Sequence, residues 1–329
     1  MIRVNNLLEE AAETENLRHA FWKASKGKRY SVGVLSYQEN LDENLDCLQK
    51  QMKTGLVETG DYRYFKIFDP KEREICASAF SEQVLHHALM NICHDYFEQA
   101  QIFDSYASRK GKGTYAAIDR AKYFTRKYGW YLKLDVRKYF GSIHHDVLKS
   151  QLERMFKDYR LLEIFGKIID SYEAEIHRGL PIGSLCSQYF ANHYLSGLDH
   201  FIKEKLRVKG YVRYMDDMVL WDSEKSVLKA AFLEVNDFVE NKLLCSLKPI
   251  ELNRSTHGLP FLGYKIYPWQ VQLTQRSKQR FIKKINYLYE NYHSGEWDEV
   301  VCQRRVLPLL AFLSHADTIG FRKNVLTKI

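Results

Sequence analysis

Apolar residues along this chain recur with two periods, and the alternation between them outlines the fold. Across residues 1–60 the pattern is helical and polar, with Leu41, Leu45, Leu48 and Met52 spaced to share one helix face. An aromatic-rich stretch at 62–68 reads as a strand that closes on Asp69-Pro70. Helical spacing resumes over 81–97 through Val84, Leu85, Leu89, Ile92 and Phe97. Residues 130–136 then alternate. Trp130, Leu132, Leu134 and Val136 fall on one face; Tyr131, Lys133, Asp135 and Arg137 fall on the other. That is the pattern of a strand with one buried face and a carboxylate on the opposite, polar one. A helix over 145–157 puts Leu148, Leu152, Met155 and Phe156 inward. A glycine-punctuated turn, GLPIGS at 179–184, leads into a helix running to about Lys205.

The segment YVRYMDDMVLW, 211–221, predicts strand, tight turn, strand, with two aspartates at the bend where turn residues belong. A helix over 224–244, two short strands near 246–266 and a basic helical tail over 276–329 complete the chain. Strands interleaved with crossing helices, ending in an all-helical stretch, predict an α+β class.

Composition narrows the partners more than the fold. The 329 residues are 45% hydrophobic and 27% charged, an ordinary folded balance with enough chain for two or three lobes. The net charge of +8 favours a partner rich in phosphate, nucleic acid above all. The six cysteines are scattered, with no CxxC pair, which argues against a structural zinc site or a disulfide framework. No run approaches the roughly 20 apolar residues of a membrane helix, and the acidic start is unlike a signal peptide. A reducing, cytoplasmic setting with no membrane partner is expected.

The chemistry concentrates in three carboxylates. Adjacent Asp216 and Asp217 at an apolar hairpin's turn repel one another unless a cation or solvent intervenes. A bare pair of aspartates would be a solvated turn. Here Tyr214-Met215 and Met218-Val219-Leu220 flank it with a buried ribbon that aims the pair at one place. Antiparallel pairing of 130–136 with this hairpin would bring Asp135 alongside. Magnesium favours carboxylate oxygens together with waters and substrate phosphates. Two ions roughly 3.5–4 Å apart would clamp the attacking and leaving oxygens of an in-line phosphoryl transfer. Two Mg2+ ions are therefore the expected cofactor, with Mn2+ as a substitute.

The blocks LKLDVRKYF (132–140), LPIGSLCSQYFANHYL (180–195), RYMDD (213–217) and FLGY (261–264) resemble, in this order, those of reverse transcriptases. The resemblance runs from about Asp69 to Pro268. It implies a right-hand polymerase fold: fingers and palm over 1–271, the palm an antiparallel sheet packed on helices, and a short helical thumb over 272–329. The catalytic blocks would be 130–143, 179–199, 211–221 and 246–268. Asp135 and Asp216 would bridge the metals with the Val136 carbonyl, and Asp217 would complete the acidic cluster.

Within the superfamily, intron-encoded and retron enzymes typically carry Pro-Gln-Gly and close the block with Ser-Pro. This chain has Pro181-Ile182-Gly183 and Ser187-Gln188. That variant resembles the reverse transcriptases of diversity-generating retroelements. The resemblance implies error-prone cDNA synthesis from a template-repeat RNA that diversifies a target gene. It also implies a primer strand, deoxynucleotides and a small, basic, oligomeric accessory protein as partners. A retron-type or antiphage-defence reverse transcriptase is the alternative within the superfamily. A scaffold that kept the fold without catalysis is the non-enzymatic alternative, and the intact aspartates count against it. No nuclease metal cluster or RNase H-like segment is visible, so strand removal is expected from other factors.

The same resemblance assigns further positions. Phe140, five residues after Asp135, would be a steric gate against a ribose 2′-hydroxyl, with a core aromatic as the plain alternative. Lys71 and Arg73 would grip the triphosphate, and Ile182, Gly183 and Gln188 would border the incoming nucleotide. Lys248 stands where a lysine can protonate pyrophosphate. Arg109, Lys110 and Lys112, in a glycine-bearing loop, would hold template phosphates. Phe261, Leu262, Gly263 and Tyr264 would form a primer grip. In the tail, Arg276, Lys278, Arg280, Lys283 and Lys284 mix with Phe281, Tyr287 and Tyr289. A basic stripe beside an aromatic one would suit a template–primer duplex, with the basic residues the better candidates because a stripe of aromatics is more often core.

Overall fold

The computed structural model describes residues 5–68 and 72–327; Lys71 lies outside them. Four helices open the chain, α1 (Leu7–Ala11), α2 (Thr14–Ser25), α3 (Val32–Glu39) and α4 (Leu41–Thr54). On α4 the stripe of Leu45, Leu48 and Met52 is buried, and Gly55 at a left-handed φ of 73° stops the helix. The hairpin β1 (Tyr62–Ile67) and β2 (Arg73–Ser78) follows, then the long α5 (Phe80–Gln99), α6 (Thr114–Lys127) and β3 (Trp130–Asp135). Next come α7 (Tyr139–Ser142), α8 (His145–Met155), α9 (Tyr159–Asp170), α10 (Leu185–Tyr194) and α11 (Ser196–His200). The α11 helix runs into a π-helical turn at Phe201–Lys205. Then β4 (Gly210–Tyr214), β5 (Asp217–Asp222), α12 (Lys225–Asn241), β6 (Glu251–Arg254) and the short β7 (Leu259–Phe261), β8 (Tyr264–Ile266) and β9 (Val271–Leu273) follow. The chain ends in α13 (Gln275–His293), α14 (Glu299–Ser314) and α15 (Ile319–Leu326). Among the described residues no helix is long and apolar enough to cross a membrane.

The strands form three sheets, ordered β1-β2, β4-β5-β3-β6 and β7-β8-β9. Two compact units emerge, each assembled from separated stretches of chain. One takes in the chain up to Phe103, Asp135–Lys205 and Glu234–Lys248; the other takes in Asp104–Leu134, Leu206–Leu233 and Pro249 onward.

The first unit is built on α5, whose Val84, Leu85, Ala88, Leu89, Cys93 and Phe97 are buried. Phe97 meets Phe156 at 5.7 Å in a tilted, edge-on contact, and Phe165 meets Phe190 at 5.2 Å likewise. Such pairs add to area burial because ring edges favour ring faces. Asp158 caps α9 through the Leu161 amide and also accepts the Leu8 amide at 2.9 Å, tying the N-terminal helix to this core.

The second unit has one core shared by the four-stranded sheet, the β7–β9 sheet and the last three helices. Tyr131, Trp221, Phe261, Tyr264, Phe281 and Leu313 all belong to it. One expectation changes here. Tyr131, assigned by alternation to a polar face, is fully buried. Its hydroxyl donates to Glu251 and lies 3.4 Å from the Gly258 carbonyl. Of the aromatics in the tail, Phe281 is a core residue, as aromatic stripes more often are, while Tyr287 and Tyr289 of the same helix are exposed. Strict alternation anticipates one solvated sheet face, and this strand has cover on both.

Candidate active site

The hairpin of β4 and β5 pairs Tyr214 with Asp217, so only Met215 and Asp216 make the turn. Met215 has a φ of 55°, the value a type II′ turn needs at its first central position and one that matches strand twist. Glycine is the usual residue there. A side chain in that conformation costs about 1–2 kcal/mol. Arg213, fully buried on β4, offsets this by donating from Nη1 to the Met215 carbonyl at 3.1 Å. The strand is held from its other edge as well: Arg213 N donates to the Asp104 carbonyl and Tyr106 N to the Arg213 carbonyl, each at 2.9 Å. The turn is thus braced, and the hairpin presents Asp216 at the turn and Asp217 at the start of β5 side by side.

Asp217 opens β5, and β5 lies beside β3 in the sheet. From β3, Lys133 reaches Asp217 at 3.5 Å and also donates to the Pro260 carbonyl at 2.8 Å. Asp135 is the last residue of β3. Residues 246–248 run antiparallel to 135–137, with Lys248 N donating to the Asp135 carbonyl at 2.8 Å. That register delivers the Lys248 ammonium to Asp135 Oδ1 at 2.6 Å. Lys248, expected near the pyrophosphate, therefore sits on a candidate metal ligand.

Among the described residues, no group of three or more His, Cys, Asp or Glu side chains is arranged to hold a metal by itself. Asp135 and Asp217 are each paired with a lysine. The donor set still fits a hard divalent cation: carboxylate oxygens, with the backbone beside them, are what magnesium selects, and it draws its other ligands from water and phosphate.

The turn that follows α9 is locked against the β1–β2 hairpin. The Ile182 carbonyl accepts the Cys76 amide at 2.8 Å. Gly183 has a φ of 122°, and a Cβ there would lie 3.0 Å from Ile75 Cγ2 and 3.1 Å from the Cys76 carbonyl oxygen. Only glycine fits both the conformation and the gap. Ser184 then caps α10 by accepting the Ser187 amide, and Gln188 is exposed one turn along. Phe140 is half-buried, its carbonyl accepts the Leu180 amide at 2.8 Å, and its ring meets that of Tyr139 edge-on at 5.9 Å. Arg73 is exposed at the start of β2.

A family model described as reverse transcriptase (RNA-dependent DNA polymerase) matches residues 71–266, more than half of the chain. The chain belongs to the reverse transcriptase family. It is 20% identical over 322 residues to the putative COX1/OXI3 intron 2 protein of Saccharomyces cerevisiae, covering 76% of this chain and 37% of that protein. To protein YkfC of Escherichia coli it is 22% identical over 320 residues, covering 80% of this chain and 84% of that one. The chain thus spans little more than a third of the yeast intron protein. Among solved structures, apo telomerase from Candida tropicalis superimposes with a TM-score of 0.51 at 12% identity, over 72% of this chain and 54% of that one. At that identity the likeness speaks to the fold.

The remaining positions of this reverse transcriptase are built as follows. In the basic loop, Arg109 donates to the Ser105 carbonyl at 2.9 Å and Lys112 lies 4.9 Å over the Tyr106 ring. Lys110 is exposed. Leu262 (φ 49°) and Gly263 (φ 89°) form the two-residue turn between β7 and β8, with Phe261 and Tyr264 buried on either side. The Gly263 carbonyl accepts the Ser277 hydroxyl at 2.7 Å, and the Tyr264 hydroxyl donates to the Phe312 carbonyl at 2.7 Å. Both contacts fasten the hairpin to the terminal helices. On α13, Arg276, Lys283 and Lys284 are exposed.

Sequence reasoning passed over Lys133 and Arg213. Each carried a signal: Lys133 stands two residues before Asp135 on the same strand face, and Arg213 is a lone charge inside an apolar ribbon.

Proposed function

We propose that this chain is an RNA-directed DNA polymerase that extends a primer's 3′-end with deoxynucleotides on an RNA template. The observation that carries the reading is the braced Met215–Asp216 turn, which presents adjacent carboxylates on a rigid hairpin in the sheet that also contains the Asp135 strand. Asp135, Asp216 and Asp217 would hold two magnesium ions, helped by the Val136 carbonyl. When bound, such ions stabilise charge developing on the phosphoryl group and its leaving oxygens. Lys133 and Lys248 hold the carboxylates' charge in the meantime and must yield to the cations. Phe140 excludes ribonucleotides, Arg73 with Lys71 engages the triphosphate, and the 181–184 turn with Gln188 borders the nucleotide. Arg109, Lys110, Lys112 and the 261–264 hairpin contact template and primer.

At the level of branch, we propose a diversity-generating reverse transcriptase that makes error-prone cDNA and works with a small basic accessory protein. Pro181-Ile182-Gly183 and Ser187-Gln188 support this reading. The purified chain should extend a DNA primer on an RNA template with magnesium. Asp216→Ala should abolish extension while leaving nucleic-acid binding and thermal stability near wild type. Extension by Asp216→Ala at near wild-type rate would overturn the assignment.

A further inference from the structure

Behind the 181–184 turn lies a buried chain of polar groups that the polymerase reading leaves unused. Ser184, His86 and Glu82 are 2%, 1% and 3% exposed. Ser184 Oγ lies 3.3 Å from His86 Nδ1; His86 Nε2 and Glu82 Oε1 face one another at 3.4 Å, and neither of these two atoms is in a hydrogen bond. Glu82 Oε2 in turn accepts the Gly60 amide at 3.1 Å. Serine, histidine and carboxylate in this order also make hydrolytic triads. A nucleophile must be open to substrate, and this serine is sealed inside the unit with its oxygen committed to the Ser187 amide at 3.4 Å. The chain is built to hold something in place.

We propose that Glu82 and His86 are positioning residues for the Pro181–Ser184 turn and that, through them, the affinity for the incoming nucleotide depends on pH. This rests on the reading of that turn as a nucleotide border. Ser184 Oγ accepts from the Ser187 amide, so its own hydroxyl best donates to an unprotonated His86 Nδ1. That tautomer carries its proton on Nε2, facing the Glu82 carboxylate. A proton on Glu82 would turn that 3.4 Å contact into a hydrogen bond with the acid as donor to Nε2; Nδ1 then becomes the donor, and the Ser184 oxygen must serve two donors while its own hydroxyl loses its acceptor. The cap of α10 weakens, and with it the turn.

The environment places this exchange in a useful range. Burial raises the Glu82 carboxyl to about 7, opposed by the Gly60 amide and the Ser78 hydroxyl and assisted by Asp61. Burial lowers His86 to about 3, assisted by His87, so the ring stays neutral. Tyr62 and Cys186 also lie nearby, both shifted upward by burial above all and further by Glu82's charge, and Tyr37, Cys47 and Glu58 border the adjacent cavity. A cavity of about 170 Å³, bordered by Tyr37, Asn44, Gln51, Glu58 and Glu82, gives the carboxyl a route for proton exchange.

The test is single-nucleotide insertion on an RNA template between about pH 8 and about pH 6, with hydrogen exchange of the α10 amides measured on the same proteins. In the wild type the KM for the nucleotide should rise on acidification by up to about tenfold, the effect of losing roughly one hydrogen bond. Protection of the Ser187 amide should fall with it. Glu82→Gln should flatten both profiles. His86→Ala should raise KM at every pH, and His86→Asn, whose amide stands at the Nδ1 position, should restore part of it. A Glu82→Gln enzyme that keeps the wild-type pH dependence would overturn the proposal, as would a loss confined to kcat. A wild-type chain that makes no DNA on RNA would sink the polymerase reading instead, and the exchange profile would still decide the relay.

Discussion

Gly183→Ala tests whether the nucleotide-bordering turn is shaped by its contact with β2. Two costs add. The residue sits at a φ of 122°, outside the regions open to a side chain, and strain of this kind costs on the order of 1–3 kcal/mol. The new methyl would also press on Ile75 Cγ2 at 3.0 Å and on the Cys76 carbonyl at 3.1 Å. The isoleucine can rotate away; the carbonyl belongs to a strand paired with β1 and cannot, which adds about 1 kcal/mol or more of overpacking. The total, about 2–4 kcal/mol, should lower the melting temperature of a chain this long by roughly 3–6 °C. If the turn relaxes instead of the protein, it must give up the 2.8 Å bond from the Cys76 amide to Ile182, and the KM for nucleotide should rise with kcat less affected. Differential scanning fluorimetry and single-nucleotide insertion kinetics read the two outcomes. A variant with unchanged melting temperature and unchanged KM would refute the reasoning, because neither strain nor displacement would then have occurred.

Phe140→Ala should lower the ratio of kcat/KM for a deoxynucleotide over its ribonucleotide, and an unchanged ratio would return the ring to a packing role. Lys133→Met removes the cation that competes for Asp217. At 3.5 Å, with both side chains about a fifth exposed, the pairing is worth about 1–2 kcal/mol after solvent screening. The magnesium concentration for half-maximal extension should therefore drop by roughly tenfold, with Mn2+ binding followed by electron paramagnetic resonance as the activity-independent readout. Weaker or equal metal binding would contradict this. Ile182→Gln supplies a directional amide where only an apolar side chain stood, and should reduce misincorporation opposite template adenine more than opposite guanine. Equal error ratios on both bases would remove Ile182 from any account of fidelity.

Much of the secondary structure was legible because it is written in short-range periodicity. The stripe of Leu45, Leu48 and Met52 marked α4, and alternation marked β3. The flanks of Asp216-Asp217 marked a buried hairpin, whose strands are covered nearly throughout. The four ordered blocks pointed to the family because each is local. What lay beyond reach depends on which segments meet. Tyr131 is buried because β3 has cover on both faces, a property no single strand encodes. Lys248 reaches Asp135 because a strand-like segment 113 residues away pairs in one register, and a shift by one residue would turn that ammonium to the other side. The relay of Glu82, His86 and Ser184 joins a helix to a turn 98 residues further on. Each member alone looked like an ordinary polar residue. Local pattern determines which elements form and which residue types they carry; only tertiary packing decides which charges are buried together, and burial is what gives those charges their chemistry.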